Sequence, residues 1–180
     1  TIQPGDTTSD STNLDVASFV PPVLTKTWFH TGFYFVRDRI SQQFEHEYYR
    51  EPNESESEFA ASLLPDTSLP DGLTAEEERE AARSLKGRIL RQEIYALDGS
   101  DKAEHPYSVS ERNYEIQLLQ SLGKNRHAVF FTRDRETIDY HYERSFILDP
   151  TDPEPDPKKK RKIFDPRVTH AMTLEVDEFG

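Results

Sequence analysis

The sequence predicts an α+β fold that is mostly β: an antiparallel β-hairpin sheet with two or three short helices in the N-terminal half. Alternation of apolar and polar side chains over much of the second half indicates strands. A segment with helix start and stop signals comes before the first of them. Short turn sequences separate the segments, so we expect four or five strands in hairpin order.

The N-terminal third is predicted to be irregular and partly helical. Residues 1–20 are rich in Thr, Ser and Asp, which favours a flexible linker, and residues 21–180 are expected to form one region. Prolines keep residues 19–24 extended. Between residues 41 and 49, four-residue apolar spacing indicates a helix face, made by Ile40, Phe44 and Tyr48. Residues 51–58 are expected to be a loop, and residues 59–64 about one helical turn.

The clearest helix begins at Thr74. Thr74 and Glu77 have the spacing of a capping box, in which each residue satisfies a backbone N–H of the other. Lys86 and Gly87 are typical of a helix end, because glycine adopts the left-handed conformation without strain. A strand is predicted directly afterwards, over residues 88–97, and Asp98–Gly99 is a turn signal.

Further strands are predicted along the rest of the chain. Residues 113–119 place Tyr114, Ile116 and Leu118 on one face, and residues 128–133 have the pattern of a strand buried on both faces. Residues 134–136 are interpreted as a polar turn. Alternation returns at residues 137–147 and 168–176. Between these strands, residues 149–164 form a Pro- and Lys-rich insert that is expected to be mobile and to stay out of the core.

Composition limits the possible functions. The net charge of −12 argues against general nucleic-acid binding and against anionic membrane surfaces. Cysteine is absent, which excludes disulfides and thiol chemistry. No apolar run approaches the ~20 residues that span a bilayer, so we expect no direct membrane insertion. The chain lacks an initial Met, and we expect it to be a piece of a longer polypeptide.

Catalytic, cofactor-binding and metal-binding residues are not assigned, because the sequence contains none of the usual motifs. Its six histidines show no i, i+4 or HExxH spacing, and His141 and His170 are expected to be structural. There is no GxSxG elbow and no glycine-rich phosphate loop. Carboxylates are abundant, so a carboxylate-based hydrolase is one possible function, although no particular pair stands out.

Local clusters of side chains suggest two more possible functions. A carbohydrate- or protein-binding module would use aromatic side chains: Trp28, Tyr48, Tyr49 and Tyr107. A basic run in the insert resembles a nuclear-localisation signal or a nucleic-acid patch: Lys158, Lys159, Lys160, Arg161 and Lys162. Such a run also occurs in solvated loops, where it neutralises neighbouring Asp and Glu.

Several blocks together resemble one protein family. They are TKTWFHTG (25–32), FEHEYYR (44–50), EREAARSLKGRILRQEIYALDGS (78–100), PYSVSERNYEIQLLQ (106–120), HYER (141–144) and DPRVTHAMTLEVDEFG (165–180). In this order they resemble the middle, C-terminal region of the B component of insecticidal Tc toxin complexes, related to the SpvB/TcaC group. The insert between HYER and DPRVTH departs from the family pattern.

The resemblance implies a structural role. In that family this region leads into RHS/YD repeats, which form a β-rich shell with the C component and enclose a cytotoxic cargo. The expected function is a shell segment of a secreted toxin complex, not an enzyme and without cofactors. The expected partners are the remainder of the same B-type chain and the C component.

Overall fold

Antiparallel strands dominate this chain. The computed structural model describes residues 21–37, 39–160 and 162–177, so the linker predicted at residues 1–20 lies outside it. The strands are β1 (Val23–Phe29), β2 (Ile89–Ala96), β3 (Ser108–Gln120), β4 (Val129–His141), β5 (Ile147–Leu148), β6 (Lys162–Ile163) and β7 (Arg167–Met172). Five of them form the main sheet in the order β1-β2-β3-β4-β7, and β5 pairs separately with β6. The predicted mostly-β, antiparallel α+β class is confirmed.

The helices lie before β2, as expected. They are a 3-10 helix (Gln42–Glu47), α1 (Glu56–Ser62) and α2 (Ala75–Ser84). The capping box of α2 is confirmed: the Thr74 side chain accepts from the Glu77 N–H, and the Glu77 carboxylate accepts from the Thr74 N–H. Gly87 adopts the predicted left-handed conformation, with φ +86°.

Two predictions for the helical region need correction. The segment at residues 41–49 forms a 3-10 helix, and only two of its three expected core side chains, Ile40 and Tyr48, are buried. Residues 51–58 are not all loop, because α1 begins at Glu56. A second capping box, between Ser55 and Glu58, determines that start.

The predicted turn at residues 134–136 is wrong. β4 runs through it without interruption, because Asn113 pairs with Glu136 and Tyr114 with Asp134, which leaves Arg135 as the extra residue of a bulge. Three consecutive polar residues resemble a turn in the sequence, although Glu136 is buried in the structure. The expectation that residues 128–133 are buried on both faces is also wrong, because Val129 is exposed and the rest are at most partly buried.

The outer strands also differ from expectation. β1 is not predicted from the sequence, although five of its seven residues are β-branched or aromatic, which suits a strand. β3 begins at Ser108, five residues before the predicted start. β7 ends at Met172, not at residue 176, and all six of its residues are exposed. Thus β1 and β7 are the two edges of the sheet.

The core lies between α2 and the middle of β3. It contains buried apolar side chains from α2, from β3 and from the irregular N-terminal segment: Ile40, Leu69, Ala81, Leu85, Tyr114 and Ile116. The predicted insert has packed ends, since Asp149 and Phe164 are buried and Phe164 stacks on Phe146 with ring centroids 4.4 Å apart. The mobility of the residues between them stays a prediction.

Candidate functional site

A buried cluster of charges occupies the covered face of the sheet. Arg91 on β2 is 5% exposed, Glu93 two residues along is 0% exposed, and Glu111 on β3 is 7% exposed. Arg91 and Glu111 are direct cross-strand partners, so their side chains leave the same face. The Arg91 Nε donates to Glu93 Oε1 at 2.8 Å, and its Nη1 donates to Glu111 Oε2 at 2.7 Å.

The remaining carboxylate positions hold the covering loops. The Tyr49 N–H donates to Glu93 Oε1, and the Leu64 N–H donates to Glu111 Oε1, each at 2.8 Å. The Tyr95 hydroxyl donates to Glu93 Oε2 at 2.5 Å. Each of the four carboxylate oxygens therefore accepts at least one hydrogen bond, as buried charges require.

Burial and pairing act against each other in this cluster. Burial raises the pKa of the Glu111 carboxyl, and the attraction of Arg91 opposes that rise. Burial alone would lower the pKa of the Arg91 guanidinium. The negative charges of Glu111 and Glu93 have the larger combined effect and hold that pKa above its ordinary value. Tyr48 lies against the guanidinium, with 4.7 Å between the Arg91 carbon and the ring centroid.

This geometry supports packing, not catalysis. A general acid or nucleophile needs an approach to substrate, whereas these side chains are almost fully buried and mutually bonded. The adjoining cavity beside Glu111 has a volume of about 10 Å³, which is about the space of one water. Sequence reasoning missed the cluster; its signal was the i, i+2 spacing of Arg91, Glu93 and Tyr95 on one strand face.

A second group of acids lines an open pocket of about 200 Å³ beside Phe164. Burial raises the pKa of Glu51, and the neighbouring Glu54 raises it further. Both carboxylates nevertheless serve local structure, because Glu54 accepts from the Glu51 N–H at 3.1 Å and Glu51 is bonded by Tyr142. Glu58 completes the cap of α1. Among the described residues, these three acids are the only titratable side chains that line this pocket, and each has a structural partner, so the pocket gives the hydrolase hypothesis no further support.

The four aromatic candidates do not form one groove. Trp28 packs edge-on against Tyr48 at 5.1 Å and donates its Nε1–H to Glu47 at 2.8 Å. Tyr49 instead contacts His105 and Tyr142. Tyr107 lies over the Arg144 guanidinium, 4.4 Å away. A carbohydrate site assembled from all four rings therefore has no geometric support.

The described part of the basic run lies among acidic groups. The Lys158, Lys159 and Lys160 backbone N–H groups all bond Asp156, and the Lys160 Nζ donates to the Asp152 carbonyl at 3.2 Å. Lys162 starts β6, whereas Arg161 lies outside the described residues. These contacts show a turn closed by bonds to Asp156 and to the Asp152 carbonyl, and the nuclear-localisation hypothesis stays a prediction.

The histidines lie in unrelated environments. His170 bonds buried Glu136 through Nε2 at 3.1 Å, while His141 is exposed. His30 is buried with its Nε2 unpaired, and burial lowers its pKa to about 4. Across the described ranges no three His, Asp or Glu side chains are grouped to hold a metal. No helix there is both long and apolar enough to cross a bilayer.

The family comparison agrees with this structural character. Residues 80–154, which include β2 to β5 and both strands of the charge cluster, match the model of the insecticide toxin TcdB middle/C-terminal region. The expected relationship to the middle/C-terminal region of Tc toxin B components is therefore confirmed. No curated protein matches the chain.

Particular solved structures extend the similarity to most of the chain. The TcdB2–TccC3–Cdc42 and TcdB2–TccC3 structures each match over 89% of this chain, with 26% identity and a TM-score of 0.61. A Photorhabdus luminescens Tc holotoxin pore matches over 89%, with 28% identity and a TM-score of 0.60. The chain spans about 7% of the length of the TcdB2–TccC3 chains and 6% of the holotoxin chain.

Proposed function

We propose that this chain is a structural segment of a Tc toxin B-type subunit, which helps to form the β-rich shell around a cytotoxic cargo. The main support for this role is the Arg91–Glu93–Glu111 cluster, because its charged side chains attach the covering loops to the sheet. The two edge strands, β1 and β7, leave backbone groups for neighbouring wall strands. The relatives solved with TccC3 support a C component as partner.

In this role the chain is secreted within a toxin complex and performs no reaction of its own. Its acidic surface repels nucleic acid, and its partners are the remainder of the B-type chain and the C component. On the sheet face opposite Arg91, one row that crosses all five strands is polar: Thr27, Gln92, Ser110, Asp139 and Thr169. Such a face suits a wall that borders on water and holds cargo without gripping it.

The test is cargo protection in a complete B–C complex. A B-type subunit carrying Arg91→Met should lose the attachment of its covering loops, because two buried carboxylates lose their counterion. We expect the purified complex to expose the cargo to trypsin faster than the unaltered complex does. Arg79→Met, at an exposed helix position, is the matched control and should leave protection unchanged.

Deletion of residues 21–177 gives the decisive variant. If the complex still forms and the cargo remains as resistant to trypsin as before, the shell role is wrong. An enzymatic role would instead appear as an intact shell whose toxicity disappears with a substitution such as Glu51→Gln.

A further inference from the structure

A strap at residues 30–37 runs along α2 and presents apolar side chains to solvent. It connects β1 to the region of the 3-10 helix. Three of its side chains are largely exposed: Phe33 at 63%, Phe35 at 76% and Val36 at 45%. The Phe33 and Phe35 ring centroids are 6.4 Å apart, so the rings form one patch. Exposed apolar patches of this kind mark interaction surfaces.

One end of the strap is fixed to the end of α2. The Gly87 N–H donates to the His30 carbonyl at 2.9 Å. At Gly32, with φ +77°, an added Cβ would lie 3.1 Å from the Lys86 Cβ and 3.3 Å from the Arg83 Cα. A side chain at this position would therefore combine the strain of a positive φ with contacts that push Lys86 and Arg83 back by a few tenths of an ångström.

The other end is fixed by polar side chains that point inward. The Tyr34 hydroxyl donates to Glu78 on α2, and the Arg37 Nη1 donates to the same carboxylate at 2.7 Å. The Arg37 Nη2 reaches the Pro70 carbonyl at 2.7 Å and Asp71 at 3.1 Å. The strap is thus held at both ends, and no element among the described residues covers its outward rings.

We propose that the outward face of the strap, formed by Phe33, Phe35 and Val36, packs against another part of the same longer B-type polypeptide. This inference rests on the proposed function. The chain spans only about 7% of the length of the solved relatives, so most of such a molecule lies elsewhere and is present at high effective concentration. The strap is already attached to α2 at both ends, which lowers the entropy lost on docking.

Charge argues against a second copy of this chain as the occupant. Two chains of net charge −12 repel each other, and a patch of three side chains is small for a stable dimer. At the end of the strap, the Asp71 carboxylate is fully solvent-exposed beside Arg37. Because Arg37 already pairs with Asp71, the complementary surface is expected to be apolar where it meets the two rings.

Hydroxyl-radical footprinting distinguishes the occupants. Oxidation of Phe33 and Phe35 is compared between the 180-residue chain and the full-length B-type subunit, each referred to its own urea-unfolded form. We expect unfolded-like oxidation in the chain and several-fold less in the subunit. Equal oxidation in both would overturn the proposal. Protection that appears only after a C component is added, or only in a dimer of the chain, would also overturn it.

A pair of variants gives a second readout. Phe33→Ser with Phe35→Ser should leave the Tm of the 180-residue chain unchanged, because both rings are exposed there. The same pair should lower the Tm of the full-length subunit by several degrees, and an unchanged Tm there would contradict the docking. Cargo protection is measured in parallel, so a failed shell role and a failed strap contact give different results.

Discussion

Single residues in this chain carry more than one structural task. Arg91 is the clearest case, because it neutralises two buried carboxylates while its guanidinium packs on Tyr48. The two carboxylates in turn hold the backbones of Tyr49 and Leu64. Removing the one cation therefore affects the sheet and both covering loops.

We predict that Arg91→Met lowers the free energy of unfolding by about 3–5 kcal/mol, since it leaves uncompensated buried charge. The triple variant Arg91→Met, Glu93→Gln, Glu111→Gln should cost less, because no net charge is then buried. Urea denaturation of both variants measures this. An Arg91→Met loss below about 1 kcal/mol would show that the cluster adds little.

His30 makes stability depend on pH. Its pKa is lowered to about 4 by burial, against 6.5 for the ordinary side chain, and its Nε2 has no partner. The unfolded chain therefore binds a proton that the folded chain rejects. The stabilisation is fully present above pH 6.5 and is lost as the pH falls from 6.5 towards 4.

We predict that His30→Phe removes a decrease of about 2 kcal/mol in the free energy of unfolding between about pH 7.5 and 5. Urea midpoints at the two pH values measure it in each protein. His46→Asn, at an exposed position, is the control and should keep the decrease. An equal decrease in His30→Phe would assign the pH dependence to other groups.

At the scale of the elements, α2 is attached to the sheet through its own cap. Glu77 bonds the Thr74 N–H at 2.9 Å, and it also accepts from the Leu122 N–H in the β3–β4 connection at 2.8 Å. Glu80 also bonds that connection, with the Ala128 N–H at 2.7 Å. The helix start and the hairpin therefore depend on the same carboxylate, that of Glu77.

We predict that Glu77→Ala costs about 2 kcal/mol of stability, because two backbone N–H groups lose their acceptor. The neighbouring Glu76→Ala should be nearly neutral, as its side chain is half exposed. Thermal unfolding of both compares them directly. Similar Tm losses for the two would mean that general helix electrostatics, not the double attachment, is measured.

The strap can be tested through its glycine. Gly32 and Gly72 have nearly equal φ angles, +77° and +76°, but of these two an added Cβ meets neighbours only at Gly32. Gly72→Ala should therefore cost about 1–2 kcal/mol for the left-handed conformation alone. Gly32→Ala should cost more in urea denaturation, because Lys86 and Arg83 must also shift by a few tenths of an ångström. Equal costs would contradict close packing of the strap.

At the scale of the whole molecule, stability is concentrated in the β3–β4 hairpin and the core beneath α2. The predicted insert contributes no side chain to that core, and its ends are joined by the two-residue strands β5 and β6 and by the packing of Phe164 on Phe146. Most of its residues between 150 and 160 are exposed or half-buried turns. Local opening should therefore cost little there.

We predict that amides of residues 150–160 exchange with deuterium within seconds at neutral pH, whereas those in the middle of β3 and β4 persist for hours. Hydrogen-exchange mass spectrometry measures both in one experiment. Protection of the insert equal to that of β4 would refute its mobility and make the basic run a folded surface.

Local signals in the sequence predicted the fold class, α2 and β2, and longer-range geometry accounts for the failures in the other strands. The Thr74–Glu77 spacing and Gly87 located α2 because these effects act within one turn. The Arg135 bulge was missed because its polar neighbours resemble a turn until pairing with β3 is known. The charge cluster was missed for the same reason: Arg91 meets Glu111 only through strand register.

The positions of β1 and β7 determine how this sheet can connect to neighbouring strands in a longer chain. The polypeptide enters the sheet at β1 and leaves it from β7, on opposite sides. Over this stretch the path advances by four inter-strand spacings, about 19 Å. Further strands of a longer chain could therefore be added at either side without a return crossing, as the proposed shell requires.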